Sequence, residues 1–330
     1  MDYHIRFAKR TDCDRITEFI DCNWKKGHIL VRNSRLFHWQ YDGDGERLNF
    51  VLGVDEDERI QGILGFIRYS NDLDSDICLA LWKVNLRTGI LGIELLKHLI
   101  EREPHRNIVC TGINIKTTGN IYSFLGFQVR KMNQWYRLVD RKTYKIATVR
   151  EHATPKNISA NGIVKVDRVD NADELPADID NECTSVPFKS REYLQHRYFE
   201  HPVYDYLVYT YKDETKPCLG LSLVMRIQEY NGAKALRIID GIGNWNLLEK
   251  VVLHIDSLME QYDCEYADLV ESGLDENLMC SSGWRKVGDD GNIIPDYFSP
   301  FEQKNVKIYC STSSDKALLF KGDGDQDRPN

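Results

Sequence analysis

Residues Ile77 to Leu99 read ICLALWKVNLRTGILGIELLKHL, and the pattern of their apolar residues changes midway. Ile77, Leu79 and Leu81, continued by Trp82 and Val84, predict an apolar strand. Arg87-Thr88-Gly89-Ile90-Leu91-Gly92 then make a turn rich in backbone N–H groups. Leu91, Leu95, Leu96 and Leu99 recur at helical spacing and predict an amphipathic helix. Strand, glycine-bearing turn and helix amide terminus together form an anion site, because unpaired N–H groups and the helix dipole converge there. Glycines admit a phosphate close to the backbone, and Arg87 adds a charge-assisted contact. The same residues also suit a plain tight turn that packs a helix on a sheet. G-x-G-x-x-G and Gly-Lys-Ser/Thr are both absent here, which argues against a dinucleotide fingerprint and a Walker loop.

The chain has 330 residues, enough for two ordinary domains with sizeable cores. Its 42% apolar and 28% charged content is that of a soluble globular protein, and the net charge of -8 argues against a nucleic-acid partner. The start, MDYHIRFAKRTD, lacks the apolar core of a signal peptide, and no stretch is long enough to span a membrane. Nine cysteines lie scattered without a C-x-x-C pair. They read as small core residues in a reducing cytoplasm, with neither a zinc site nor a disulfide framework expected.

Around the opening stretch the order is regular. His4–Ala8 predicts a strand, and Thr11-Asp12 caps a helix that carries Ile16, Phe19 and Ile20 on one face. Residues 35–50, RLFHWQYDGDGERLNF, are aromatic and end in a Gly-rich turn. Residues 49–70 read as a hairpin with a solvated acidic tip, Asp55 to Glu58. Downstream come strand NIVCTGINI, a short helical segment NIYSFL, Gly126-Phe127 and strand QWYRLV. In this order the chain resembles the GCN5-related N-acetyltransferase (GNAT) fold. Arg87 to Gly92 stand where that family places its CoA pyrophosphate loop, although the spacing Arg87-x-Gly89-x-x-Gly92 is shifted from the family pattern. Tyr122-Ser-Phe-Leu-Gly126-Phe127 matches the family segment Tyr-x-x-x-Gly-Phe near the thioester.

From 141 to 162 the composition turns polar and Pro/Gly-punctuated, which divides the chain into a first domain (1–145), a linker (146–162) and a second domain (163–330). The second half repeats the order of the first. Strands over 205–213 and 218–230 precede strand ALRIIDGIGNW, a helix with Leu248, Val251, Val252, Ile255 and Leu258 inward, strand CEYADLV and Gly283-Trp284. Its turn has no arginine, and Trp245 crowds it. The expected fold is therefore α/β (α+β) with two GNAT-like mixed-sheet domains in tandem. The first would bind the acyl carrier, and a degenerate second would hold the acceptor.

The second half further resembles sugar N-acyltransferases of bacterial polysaccharide gene clusters, through the pattern from His196 to Tyr206, LRIID from Leu236, IPDYFSPF from Ile294 and the terminal DQDRPN. That resemblance implies transfer of an acetyl or 3-hydroxybutanoyl group from acyl-CoA to a dTDP-linked 3-amino-3,6-dideoxyhexose. No metal-ligand cluster is legible, so no metal is expected, and the lack of heptads or an exposed apolar stripe favours a monomer, here a cytoplasmic one. The resemblance also implies that amides near Lys83 and Val84 polarise the thioester, that Arg87, Thr88, Gly89, Ile90, Leu91 and Gly92 hold the pyrophosphate, and that Tyr122 is the acid. Asp240 and then His201 are the candidate bases. Arg197 and Arg328 are candidates for the diphosphate, Tyr297 and Phe298 for stacking, and Trp39 and Tyr41 for the acyl or sugar end. The terminal Asp323-x-Asp325-x-Asp327 lacks the glutamate of a calcium loop. Two alternatives remain at this point: a non-catalytic CoA or nucleotide-sugar binder, and tRNA-dependent aminoacyl transfer by paired GNAT units, against which the acidic composition argues.

Overall fold

A computed structural model describes residues 3–85, 90–150, 164–176, 185–213 and 220–329. The first part of the chain forms β1 (Tyr3–Lys9), α1 (Cys13–Asn23), α2 (Ile29–Arg32), α3 (Ser34–Tyr41), β2 (Arg47–Asp55) and β3 (Ile60–Arg68). It continues with β4 (Ile77–Val84), α4 (Leu91–Arg102), β5 (Ile108–Thr111), α5 (Thr118–Phe124), β6 (Gln128–Lys131) and β7 (Asn133–Leu138). The second part forms β8 (Val164–Val169), α6 (Arg191–Leu194) running into a π-helical turn (Gln195–Phe199), β9 (Leu207–Asp213), β10 (Gly220–Tyr230) and β11 (Ala233–Gly243). It ends with α7 (Leu248–Gln261), β12 (Cys264–Ser272), α8 (Glu276–Ser281), β13 (Arg285–Lys286), β14 (Tyr309–Thr312) and β15 (Leu319–Phe320).

Local chemistry starts and stops these elements where the sequence suggests. The side chains of His28 and Asn33 accept the amides of Leu30 and Leu36 and so cap α2 and α3. Asp55 turns the hairpin by accepting the amides of Asp57 and Arg59 at 3.0 and 2.8 Å. Ile16, Phe19 and Ile20 of α1 pack with Leu36, Phe37 and Tyr41 of α3 on one face of the first sheet. Leu91, Leu95, Leu96 and Leu99 of α4 cover the other face.

The two sheets are copies of one topology. The first runs β1-β2-β3-β4-β5-β14-β6, and the second, read from its far edge, runs β8-β9-β10-β11-β12-β7-β13. Only the fourth and fifth strands of each are parallel, β4 with β5 and β11 with β12. Each sheet takes its sixth strand from the other part of the chain. β7 lies in the second sheet, where Trp135 donates to Glu271 at 2.8 Å and Arg137 grips Asp256 at 2.9 and 2.6 Å. β14 lies in the first, between β5 and β6. The exchange ties the two units at two places, so a cut between 145 and 163 does not separate the sheets. Residues 151–162 of the expected linker lie outside the described residues. Its beginning packs on the second unit, where the amides of Lys145, Ile146 and Ala147 donate to Glu265 at 2.6, 3.0 and 3.1 Å.

Candidate functional site

In both sheets the parallel pair separates before its strands end. β4 and β5 are paired from Ile77↔Ile108 to Leu79↔Cys110, and β11 and β12 as far as Ile238↔Leu269. At the parting the register of β4 against β3 jumps from Leu79↔Phe66 to Trp82↔Leu64, and that of β11 against β10 jumps from Ile238↔Met225 to Asp240↔Val224. An extra residue in the fourth strand bends it away from the fifth, which opens a wedge.

The two wedges meet different fates. Near the carboxyl end of the chain, β15 pairs with β12 at Glu271↔Phe320 and Ser272↔Leu319. The next amides complete the insertion: Lys321 donates to Val270 O at 3.1 Å on one side, and Gly322 to Ile239 O at 2.8 Å on the other. Trp245 stacks on Phe320 at 5.2 Å and lies 2.2 Å from where a Gly241 side chain would begin. The second wedge is thus closed by the chain itself. Among the described residues no strand pairs with Ala80 to Val84 on the β5 side, and the first wedge stays open.

Backbone alternation decides which amides face that opening. Asn85 donates to Gln61 O at 2.8 Å and Lys83 pairs with Ile63, so the Lys83 amide turns to β3. The amides of Trp82 and Val84 turn to the opposite edge, into the wedge. Leu91, the first residue of α4, sits over Gly53 and Gly62, whose added Cβ atoms would meet it at 2.6 and 3.0 Å. Those two glycines bring the amino end of α4 down to the wedge mouth. On the same face Tyr122 is buried, edge-on to Trp82 at 5.7 Å and beside Phe127 at 5.7 Å. Burial and the adjacent Cys110 thiol hold its phenol well above the ordinary tyrosine value, and burial pushes Cys110 up to about 12.

From the closed wedge the chain crosses to the open one. Thr111 Oγ1 donates to Asp323 O at 2.6 Å, and Tyr69 donates to Asp323 Oδ1 at 3.0 Å. Gly324, at φ +67°, lies against Cys78 and Thr111, and the Gln326 side chain covers Gly112. Asp327 returns to the second unit, where Arg226 (2.5 Å) and Tyr206 (2.8 Å) donate to it. Burial alone would raise the Asp327 carboxyl, but Arg226 and Arg197 outweigh it and hold it low.

This terminal segment walls two clefts. One of about 330 Å³ is lined by Trp39, Arg47, Tyr193, His196, Arg197 and Gly324, among others, and in it Tyr193 Oη and Arg47 Nε are buried without a hydrogen-bond partner among the described residues. The other, of about 130 Å³, is lined by Tyr204, Arg226, Tyr297, Phe298, Asp325 and Arg328, among others.

No protein-family model matches the sequence, and no curated protein matches it. Solved structures do match. A conserved protein of Enterococcus faecalis V583 superposes with TM-score 0.59 at 9% identity, covering 94% of this chain and 72% of that one. A GCN5-related N-acetyltransferase from Anabaena variabilis ATCC 29413 gives TM-score 0.55 at 11% identity, over 94% and 72%. A GCN5-related glucosamine N-acetyltransferase region of a fungal multi-domain GH3 β-N-acetylglucosaminidase gives 0.53 at 12% identity, over 94% and 38%. The chain has the GNAT fold, twice over.

On this GNAT frame the residues singled out in the sequence fall into distinct groups. Val84, Leu91, Gly92 and Tyr122 gather at the open wedge, with Ile90 exposed at the cap of α4. Arg87, Thr88 and Gly89 lie outside the described residues. Of the two amides expected to face the thioester, Lys83's is taken by β3. Trp39 and Arg197 share the larger cleft, and Tyr297, Phe298 and Arg328 the smaller. Tyr41 lines neither cleft. It is a core residue, 4.3 Å from the Phe50 ring, because α3 turns that side of its helix to the sheet.

Neither candidate base is arranged as one. Asp240 is fully buried, with Lys189 Nζ 2.7 Å from both its oxygens and Tyr198 Oη 2.5 Å away. His201 Nδ1 accepts the amides of Val203 and Tyr204 at 3.1 and 2.9 Å, and burial together with Arg197 pulls its pKa down to about 3. A ring whose lone pair is already engaged, and whose affinity for a proton is that low, is a poor acceptor. Sequence reasoning passed over Lys189 and Arg226; it weighed Asp325 only as part of a calcium loop, and nothing in the sequence places that residue beside β5.

Proposed function

We propose that the chain is an acyl-CoA-dependent N-acyltransferase whose acceptor is the amine of a nucleotide-linked amino sugar. The observation that carries this reading is the contrast between the wedges. The second is filled by residues 319–322, whereas the first offers strand amides that no strand among the described residues takes up, a helix amino terminus and a buried, protonated tyrosine at one opening. In this reading the pantetheine lies along β4 and the pyrophosphate rests at the start of α4. The Val84 amide donates to the thioester oxygen as it gains charge. The neutral amine attacks the carbonyl carbon, the C–S bond breaks, and Tyr122 gives its proton to the departing thiolate.

The acceptor reading rests on the clefts and on one neighbour. Gly324 walls the larger cleft and Asp325 the smaller, so the two abut across one strand of chain. Rings and guanidinium groups line both, which suits a ligand with a base, a diphosphate and a sugar. The glucosamine N-acetyltransferase region among the structural neighbours acts, by its name, on an amino sugar. The specific form we propose is a dTDP-linked 3-amino-3,6-dideoxyhexose receiving an acetyl or 3-hydroxybutanoyl group in surface-polysaccharide synthesis. The test is thiol release from acetyl-CoA and 3-hydroxybutanoyl-CoA with a panel of dTDP-linked amino sugars, followed by mass spectrometry. An amide product in step with thiol confirms the reading. Tight CoA binding with no reactive sugar rejects the acceptor, and absence of CoA binding rejects the whole.

A further inference from the structure

The neutral amine needs a base, and the four carboxylates nearest the terminal segment are not equivalent. Asp240, Asp323 and Asp327 are buried and held by Lys189, Arg226 and tyrosine hydroxyls. Asp325 is also paired, with Arg328, but its side chain keeps 10% exposure, its partner is itself partly exposed, and it lines the smaller cleft.

The neighbours of Asp325 in sequence fix its position. Gly324 leaves no room for a side chain, since a Cβ there would stand 2.7 Å from Cys78 Sγ and 3.3 Å from Thr111 Oγ1. Gln326 lies across Gly112, its amide nitrogen 1.8 Å from where a Cβ would be. Cys78 lies within the paired region of β4 and β5, and Thr111 and Gly112 follow its last pair, so the chain at Asp325 passes beside the point where the strands part. Cys110, the last paired residue of β5, packs in the same cluster as Tyr122. The chain at Asp325 is thus held over the carboxyl end of β5, while its side chain lines the smaller cleft.

We propose that Asp325 is the base that takes the proton from the acceptor amine, with Arg328 orienting its carboxylate. This rests on the acyltransferase reading above. The acceptor enters as an ammonium and leaves as an amide, losing two protons. One passes to the Asp325 carboxylate and on to solvent; the other reaches the thiolate, which leaves as CoA thiol through Tyr122. Nothing is oxidised or reduced.

The test compares wild type with Asp325→Asn and Asp325→Glu in acetyl transfer to the amino sugar, with CoA affinity measured by calorimetry. For Asp325→Asn we expect kcat to fall about 100-fold or more near pH 7 with CoA affinity within twofold. Its residual rate should rise about tenfold per pH unit below the amine pKa, as the fraction of free amine grows. Asp325→Glu should recover part of the loss. The ionisable groups that sense Asp325 are Arg328, His28, Tyr41, Cys78, Cys110 and Tyr297, and all are retained in these variants. A kcat within threefold of wild type, or a pH profile unchanged in shape, overturns the assignment while leaving the acyltransferase reading standing. Loss of CoA binding in Asp325→Asn assigns it a structural role and overturns it too. No transfer by the wild type overturns both.

Discussion

Lys189 and Asp240 meet in a bidentate ion pair, Nζ 2.7 Å from each carboxylate oxygen, where the two units and the terminal segment come together. Asp323 approaches the same ammonium at 2.9 Å, and Gly241 N–H donates to Asp240 at 2.8 Å. Burial works against the Lys189 charge, but the two carboxylates outweigh it and its pKa ends above the ordinary lysine value. Asp323 is pushed the other way by burial and ends raised.

Replacing one member of this buried pair leaves the other without its counter-charge. Asp240→Asn should lower unfolding stability by about 3–5 kcal/mol in urea titration, and pairing it with Lys189→Met should recover part of that loss. A base at Asp240 would give the opposite pattern, near-normal stability with kcat lost.

His28 contributes to acid sensitivity. Burial and the Arg328 charge pull its folded pKa from 6.5 to about 4, so the unfolded chain binds a proton first as pH falls. Its contribution is complete above about pH 6.5 and is lost as pH falls towards 4. His201, lowered to about 3, extends the loss further into acid. His28→Asn keeps a side chain able to cap α2 and should flatten the urea midpoint between pH 6.5 and 4 relative to wild type.

Gly324→Ala tests the seat of the terminal segment. At φ +67° a side chain costs about 1 kcal/mol even in open space, and this one also meets Cys78 and Thr111. The variant should show faster proteolysis near its carboxyl end and at least a tenfold loss of transfer, while CoA still binds.

Tyr122→Phe removes a proton donor without changing the packing against Trp82 and Phe127. On the proposed mechanism kcat falls roughly 100-fold and CoA affinity stays within twofold. Leaving groups more acidic than CoA should narrow the gap, because a weaker thiolate base needs less help from an acid.

Much of the fold was legible because it is local. The apolar runs of β2 and β3 on either side of an acidic turn, the spacing of Leu91, Leu95, Leu96 and Leu99, and the capping residues are written within a few residues of where they act. The internal repeat was legible too, since the same local patterns recur in the same order. Strand exchange was not. β7 and β14 carry apolar residues that would suit the sixth place in either sheet, and period-2 patterning names no partner.

The site divides along the same line. Val84 and the start of α4 lie on a strand and a helix adjacent in sequence, so their meeting was readable, and Tyr122 joins them from α5. The place of the proposed base was not, because it depends on where a segment far downstream comes to rest. The sequence by itself determined two mixed α/β units built in the same order. Only tertiary structure decided that residues 319–322 close one wedge and that residues 324–326 are pinned across the other. The reason is physical: backbone donors and acceptors at a parted strand pair accept any chain that reaches them, and which chain does so depends on the packing of the whole molecule.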